Sequence, residues 1–167
     1  MVKHILFKRS LWILLLVALT AIRSSAQEVK DFEVKGFHID QRVQVMTMPA
    51  LKDFATDLAS LGINTIIMEW EASFPYKENA TISNKYAYTK DEVESFIEHC
   101  RKLNIDVIPL HNCFGHAEFI LRHERYAHLK EDKKEVSQVC PLKTAESKEV
   151  FTSLFSEIVK MHPSQYF

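Results

Sequence analysis

Two short apolar runs, around Ile66-Ile67-Met68 and Val107-Ile108, break off abruptly into polar and ring-bearing side chains. The first exits through Glu69, Trp70 and Glu71, and the second passes Pro109 and Leu110 to exit through His111, Asn112, Cys113, Gly115, His116 and Glu118. Runs this short and this apolar are the mark of parallel strands covered on both faces. Residues at the C-terminal ends of such strands gather on one side of the sheet. The chain is therefore expected to fold as parallel βα units with its chemistry at the strand exits.

Helical spacing fills the intervals. Pro49 suits a first helical turn, where its missing N–H is not needed, and Leu51, Phe54, Leu58 and Leu61 recur at three- and four-residue steps before Gly62. Thr89 and Glu92 form a capping box ahead of Val93, Phe96, Ile97 and Cys100. A short helical segment is expected over 116–123. A last helix is expected over 145–161, with Val150, Phe151, Leu154, Phe155, Ile158 and Val159 as its stripe and Pro163 closing it. Strands are expected over 32–40, 64–70 and 105–110, and residues 165–167 read as the start of a fourth. Residues 71–88 form a long loop carrying Phe74, Pro75, Tyr76, Tyr86 and Tyr88, a length that points to function or disorder.

The first residues carry a different signal. Lys3, His4, Lys8 and Arg9 precede an apolar segment over 11–22 and then Ser24-Ser25-Ala26, the layout of a secretory signal peptide over residues 1–26. The apolar segment is short for a membrane span. Export to a periplasmic or extracellular location without stable membrane insertion is expected, an uncleaved anchor being the alternative. About 140 residues then remain, enough for one core but short of the roughly 250 of a closed (β/α)8 barrel. The expected fold class is α/β: part of a TIM barrel over 27–167, with three βα units and the start of strand four. A doubly wound sheet would need a glycine-rich phosphate loop, and Gly36, Gly62 and Gly115 are scattered.

The charge balance, 21 basic against 22 acidic residues, leaves no basic stripe for nucleic acid. The chain's 3 cysteines are too few for a disulfide framework, and Cys100 sits on a core-facing stripe. Residues 130–135 read as a charged, solvated turn.

Several segments together resemble a known family. They are Lys35-Gly36, Glu69-Trp70-Glu71-Ala72-Ser73-Phe74-Pro75-Tyr76, Lys85-Tyr86-Ala87-Tyr88, Ile108-Pro109-Leu110 through Phe114-Gly115-His116-Ala117-Glu118-Phe119, and His162-Pro163. They resemble the family 20 β-N-acetylhexosaminidases, most of all the hexosaminidase D branch. The resemblance implies an exo-acting enzyme that removes terminal N-acetylglucosamine or N-acetylgalactosamine from glycans with retention. The nucleophile is then the substrate's own 2-acetamido carbonyl oxygen. It implies no cofactor. The family's catalytic Asp-Glu pair lies in a strand reading His-Ile-Gly-X-Asp-Glu, expected beyond Phe167.

The same resemblance suggests roles. His116 would support the catalytic acid and Asp40 would orient His116, although the family's Asp-X-X-Arg is broken here by Val43, with Arg42 beside it. Lys35 stands where many members use Arg to grip the sugar's outer hydroxyls. Residue chemistry alone leaves His116 as a core histidine, Asp40 as a helix-entry cap and Lys35 as a surface lysine. Glu69 and Glu71, two apart, would share a strand face, suited to sugar hydroxyls or to a shared proton. Trp70, Phe74 and Tyr76 either stack on a pyranose or pack, and Asn112 and Glu118 are candidate pocket residues. Where the branch has an acidic residue, Ala72 stands. His111, Cys113, His116 and Glu118 match no strong zinc spacing, so a metal-dependent barrel hydrolase is the weaker alternative, beside a non-catalytic carbohydrate-binding barrel. Asn79-Ala80-Thr81 is a formal glycosylation sequon.

Overall fold

The computed structural model describes residues 32–167, and the expected signal peptide at 1–26 lies outside them. The elements are β1 (Gly36–Asp40), α1 (Met48–Ser60), β2 (Thr65–Glu69), α2 (Lys90–Lys102), β3 (Asp106–Leu110), α3 (Glu118–Leu121) and α4 (Thr144–Val159). Short 3-10 segments cover Glu71–Ser73 and Glu124–Leu129. The strands pair in parallel in the order β1-β2-β3, with Asp40 opposite Glu69 and Glu69 opposite Leu110. That register aligns the three strand exits at one level. β1 is shorter than the expected 32–40 because pairing begins only at Gly36, opposite Thr65.

Local signals explain the helices. Pro49 occupies the first turn of α1, and Gly62 follows the helix at φ +83, a conformation that favours glycine. Leu51, Ala55 and Leu58 form the buried stripe. Leu61, expected on that stripe, is 77% exposed because it is the capping residue after the last helical turn. At α2 the capping box closes in both directions: Glu92 N donates to Thr89 Oγ1 at 3.2 Å, and Thr89 N donates to the Glu92 carboxylate at 2.8 Å. Val93, Phe96, Ile97 and Cys100 are all buried, as their spacing requires.

The 71–88 connection is a folded one. Asn84 N donates to Ala72 O and Tyr88 N to Ser73 O, at 2.8 and 2.9 Å, while Phe74, Tyr76 and Tyr88 are buried against the helices. Trp70 lies beneath this connection with no exposed surface. Its rings meet Tyr88 and Phe96 edge-on at 5.5 and 5.9 Å, and its indole N–H donates to His162 Nε2 at 3.0 Å. His162 Nδ1 donates in turn to Ile158 O at 2.8 Å, which leaves Nε2 as the acceptor. Burial lowers the pKa of His162, consistent with that neutral tautomer.

The expected fourth strand does not form over 165–167, and among the described residues the sheet ends at β3. A strand needs a paired neighbour. Here Ser164 Oγ donates to the Asp106 carboxylate at 2.7 Å and accepts from Tyr166 N at 3.1 Å, while the Phe167 ring rests on Phe155.

His162→Ala strands a buried indole donor and opens a cavity beside Trp70, so it should destabilise by about 2–4 kcal/mol. Thr89→Ala, which loses only a cap, should cost about 1 kcal/mol. Urea denaturation of both variants checks the order, and a smaller loss for His162→Ala would show that the tether is not structural.

Candidate functional site

At the exits of the three strands the register brings two carboxylates together. Glu69, the last residue of β2, is 3% exposed and meets donors from three directions. His38 Nε2 of β1 lies 2.9 Å from Oε2, Arg42 Nε lies 3.3 Å from Oε1, and the Asn112 amide donates to Oε1. The same Asn112 Nδ2 donates to Glu71 Oε1 at 2.9 Å. One side-chain amide after β3 thus joins both carboxylates.

Glu69 and Glu71 do not share a strand face as their spacing suggested. β2 ends at Glu69, and Glu71 opens a 3-10 turn at φ 46, in the left-handed region. Such a backbone costs a non-glycine residue roughly 1–2 kcal/mol and persists when surrounding contacts hold it. Burial pushes the Glu71 carboxyl up to about 7, with the Asn112 hydrogen bond opposing and the charge of Glu69 adding to the rise. Below about pH 7 Glu71 therefore carries a proton that it can donate.

Other expected site residues fall in different places. Asp40 accepts from Arg42 N, Nε and Nη2 at 2.8, 2.9 and 2.7 Å, which holds its carboxyl below the usual carboxylate range. Its oxygens are thereby taken by a residue two positions on, and it does not orient His116; it positions Arg42. His116 is exposed at φ 53 on the loop before α3, and its ring makes no hydrogen bond among the described residues. Lys35 precedes β1 at the opposite end of the sheet, about 17 Å of extended chain from Asp40 at roughly 3.3 Å per residue, and its backbone N donates to Asn64 Oδ1. Trp70 and Tyr76 are enclosed, Tyr76 meeting Phe74 edge-on at 5.0 Å, so neither ring presents a face to a sugar.

Glu118 begins α3 and borders a cavity of about 330 Å³ with Gln41, Arg42, Glu71, Asn84 and Arg122. Gln41 is 2% exposed; its Oε1 accepts from Met46 N, and its Nε2 has no protein partner among the described residues. His38, Arg42 and Gln41 escaped sequence reasoning. His38 was discoverable, since it shares with Asp40 the alternate-residue face of β1.

His111 is a packing residue. Its Nδ1 bonds Asn112 O, its ring sits within 5.1–5.3 Å of Phe155 and Phe119, and burial lowers its pKa to about 4. Among the described residues no group of three or more His, Cys, Asp or Glu side chains is gathered for a metal ion, and no helix is long and apolar enough to cross a membrane. The sequon asparagine is structural as well. Asn79 is 3% exposed, donates to Ser153 Oγ and Glu157 Oε1, and accepts from the Tyr126 hydroxyl, so its amide is not free to carry a glycan.

Residues 37–167 match the catalytic domain of glycosyl hydrolase family 20. The chain belongs to that family. It is 33% identical over 128 residues to hexosaminidase D of Bos taurus, across 75% of this chain and 36% of the bovine protein. The chain thus spans about a third of that relative's length. Among solved structures it resembles the Flavobacterium johnsoniae chitobiase, with a TM-score of 0.71 at 16% identity, over 80% of this chain and 23% of that one. It also resembles a Streptomyces plicatus β-hexosaminidase mutant solved with its product GlcNAc, with a TM-score of 0.68 at 14% identity, over 80% and 31%. At these identities the likeness is one of fold. It identifies the three-stranded family 20 segment as part of a TIM-barrel catalytic domain.

A carboxyl whose folded pKa stands at about 7 against an ordinary 4.5 holds its proton more tightly when folded. Its contribution to stability is therefore full below 4.5 and is lost as pH rises through about 7. Urea midpoints at about pH 5 and about pH 8 should fall more in the wild type than in Glu71→Gln, which has no proton to release. Equal falls would remove Glu71 as the titrating group.

Proposed function

We propose that this chain is the strand-one to strand-three portion of an exported, exo-acting β-N-acetylhexosaminidase that releases terminal N-acetylglucosamine or N-acetylgalactosamine from glycans. The observation that carries the reading is the Asn112 amide joining Glu69 and Glu71 at the sheet's C-terminal end, in a chain of family 20. Export is supported by the basic, apolar and small-residue order of residues 1–26.

The roles follow from the chemistry of the groups. Protonated Glu71 and the Gln41 amide donate, Glu69 and Glu118 accept, and Arg42 supplies a fixed cation, a mixture suited to a hydroxyl-rich ring. In substrate-assisted retention the 2-acetamido carbonyl oxygen attacks the anomeric carbon and the leaving oxygen takes a proton; water then opens the cyclic intermediate. An Asp that orients the acetamide and a Glu that supplies the proton are expected in the strand following this chain. His116, exposed on the β3 exit loop, is the residue we assign to hold that acid's carboxyl, on the strength of the family resemblance. Lys35, at the far end of β1, stays outside this reading.

The 167-residue chain by itself should hydrolyse a nitrophenyl N-acetyl-β-glucosaminide at least about 100-fold more slowly than a relative carrying the acidic pair, because general acid catalysis alone contributes that much. Turnover at the relative's rate would place the catalytic groups inside this chain. Sugar binding without turnover, in a form extended through the acidic pair, would favour a carbohydrate-binding barrel instead.

In that extended form, His116→Ala should lower kcat by about 10- to 1000-fold with a smaller change in KM, roughly 1.4–4 kcal/mol in barrier. The loss should be larger for a natural disaccharide than for an activated nitrophenyl glycoside, which needs little protonation. A kcat for the disaccharide within about twofold of wild type would overturn the assignment.

A further inference from the structure

Two thiols outside the carboxylate cluster converge on one place. Cys100 is enclosed on the inner face of α2, where burial pushes its thiol up to about 12. Cys113 is exposed and Cys140 half-buried, and both border a single apolar cavity of about 460 Å³ walled by Phe114, Pro141, Phe151 and Phe155. The backbone explains the meeting. Ala117 N donates to Ser137 O and Val139 N to Phe114 O, both at 3.0 Å, so the segment after β3 and the segment before α4 run past each other in opposite directions. Cys113 precedes Phe114 and Cys140 follows Val139, so each cysteine adjoins one of the two residues that the second of these hydrogen bonds joins.

We propose that Cys113 and Cys140, free thiols in this structure, are a disulfide-forming pair that clamps the exit of β3 to the entry of α4. The oxidant is a disulfide of low molecular weight or an oxidised protein dithiol. The thiolate of exposed Cys113 attacks one sulfur of that oxidant, releasing its first thiol, and the Cys140 thiolate then displaces the second. The two cysteines lose two protons and two electrons, and the oxidant's disulfide becomes two thiols. Cys113 directly follows Asn112, so the bridge would pin the backbone from which the amide reaches Glu69 and Glu71. Cys100, enclosed and poorly ionised, has no part in the exchange.

The chain is incubated with glutathione disulfide, unfolded without reductant and alkylated with N-ethylmaleimide. The expected result is an intact mass about 2 Da below the reduced chain before alkylation, then one alkylated thiol at Cys100 and a peptide linking Cys113 to Cys140, with three alkylated thiols after dithiothreitol. The oxidised chain should also melt several degrees higher than the reduced one. Cys140→Ser should instead retain glutathione on Cys113. Glutathione remaining on wild-type Cys113, a dimer linked through Cys113, a bridge that includes Cys100, or three free thiols before reduction would overturn the proposal.

Discussion

The hydrogen bond from the Trp70 indole to His162 is the constraint on which the site's placement depends. Trp70 stands between the two carboxylates in sequence, and its burial among Tyr88, Phe96 and His162 anchors the chain just past β2. His162 is itself held by Ile158 O, so the same contact ties the end of α4 to the exit of β2. With Trp70 held in the core, the chain turns at once through the left-handed Glu71, and the carboxylates before and after it meet over Asn112.

Two carboxyls in so enclosed a place oppose each other and lose hydration, which is unfavourable unless donors and a proton compensate. The donors come from three elements: His38 on β1, Arg42 just after it, and Asn112 after β3. The proton stays on Glu71, where the raised pKa keeps it up to about neutral pH. Asp40 acts at one remove by fixing the guanidinium. Truncating any one donor leaves a buried acceptor less satisfied, so these residues serve stability and chemistry together. A site that carries strain at Glu71 and partly desolvated charge is common where structure is kept for function.

Much of the scaffold was legible because its causes are local. Thr89 and Glu92 close a capping box whose partners are three residues apart, and Pro49 and Gly62 bound α1 through their own backbone preferences. Leu61 was misplaced because helical periodicity does not say where the last turn ends. The Asn79 sequon and the sugar-stacking reading of Trp70 and Tyr76 failed for another reason. Asn79 and Trp70 have partners, Ser153, Glu157 and His162, that lie some 75 to 90 positions away, and Tyr76 packs on His111 of the next strand exit, distances no local pattern spans.

The sequence by itself determined the alternation of strand and helix, the strand exits as the place where polar side chains collect, and, through motifs spread along the chain, the family. Periodicity, capping and turn chemistry act within a few residues and survive without the rest of the molecule. Tertiary structure alone decided that Glu69 and Glu71 share one amide, that Asp40 serves Arg42 and not His116, and that Lys35 lies at the wrong end of β1 to join them. Those outcomes depend on strand register and on which side chains are enclosed. Both are set when β1, β2 and β3 align in parallel and the 71–88 connection folds back over Trp70.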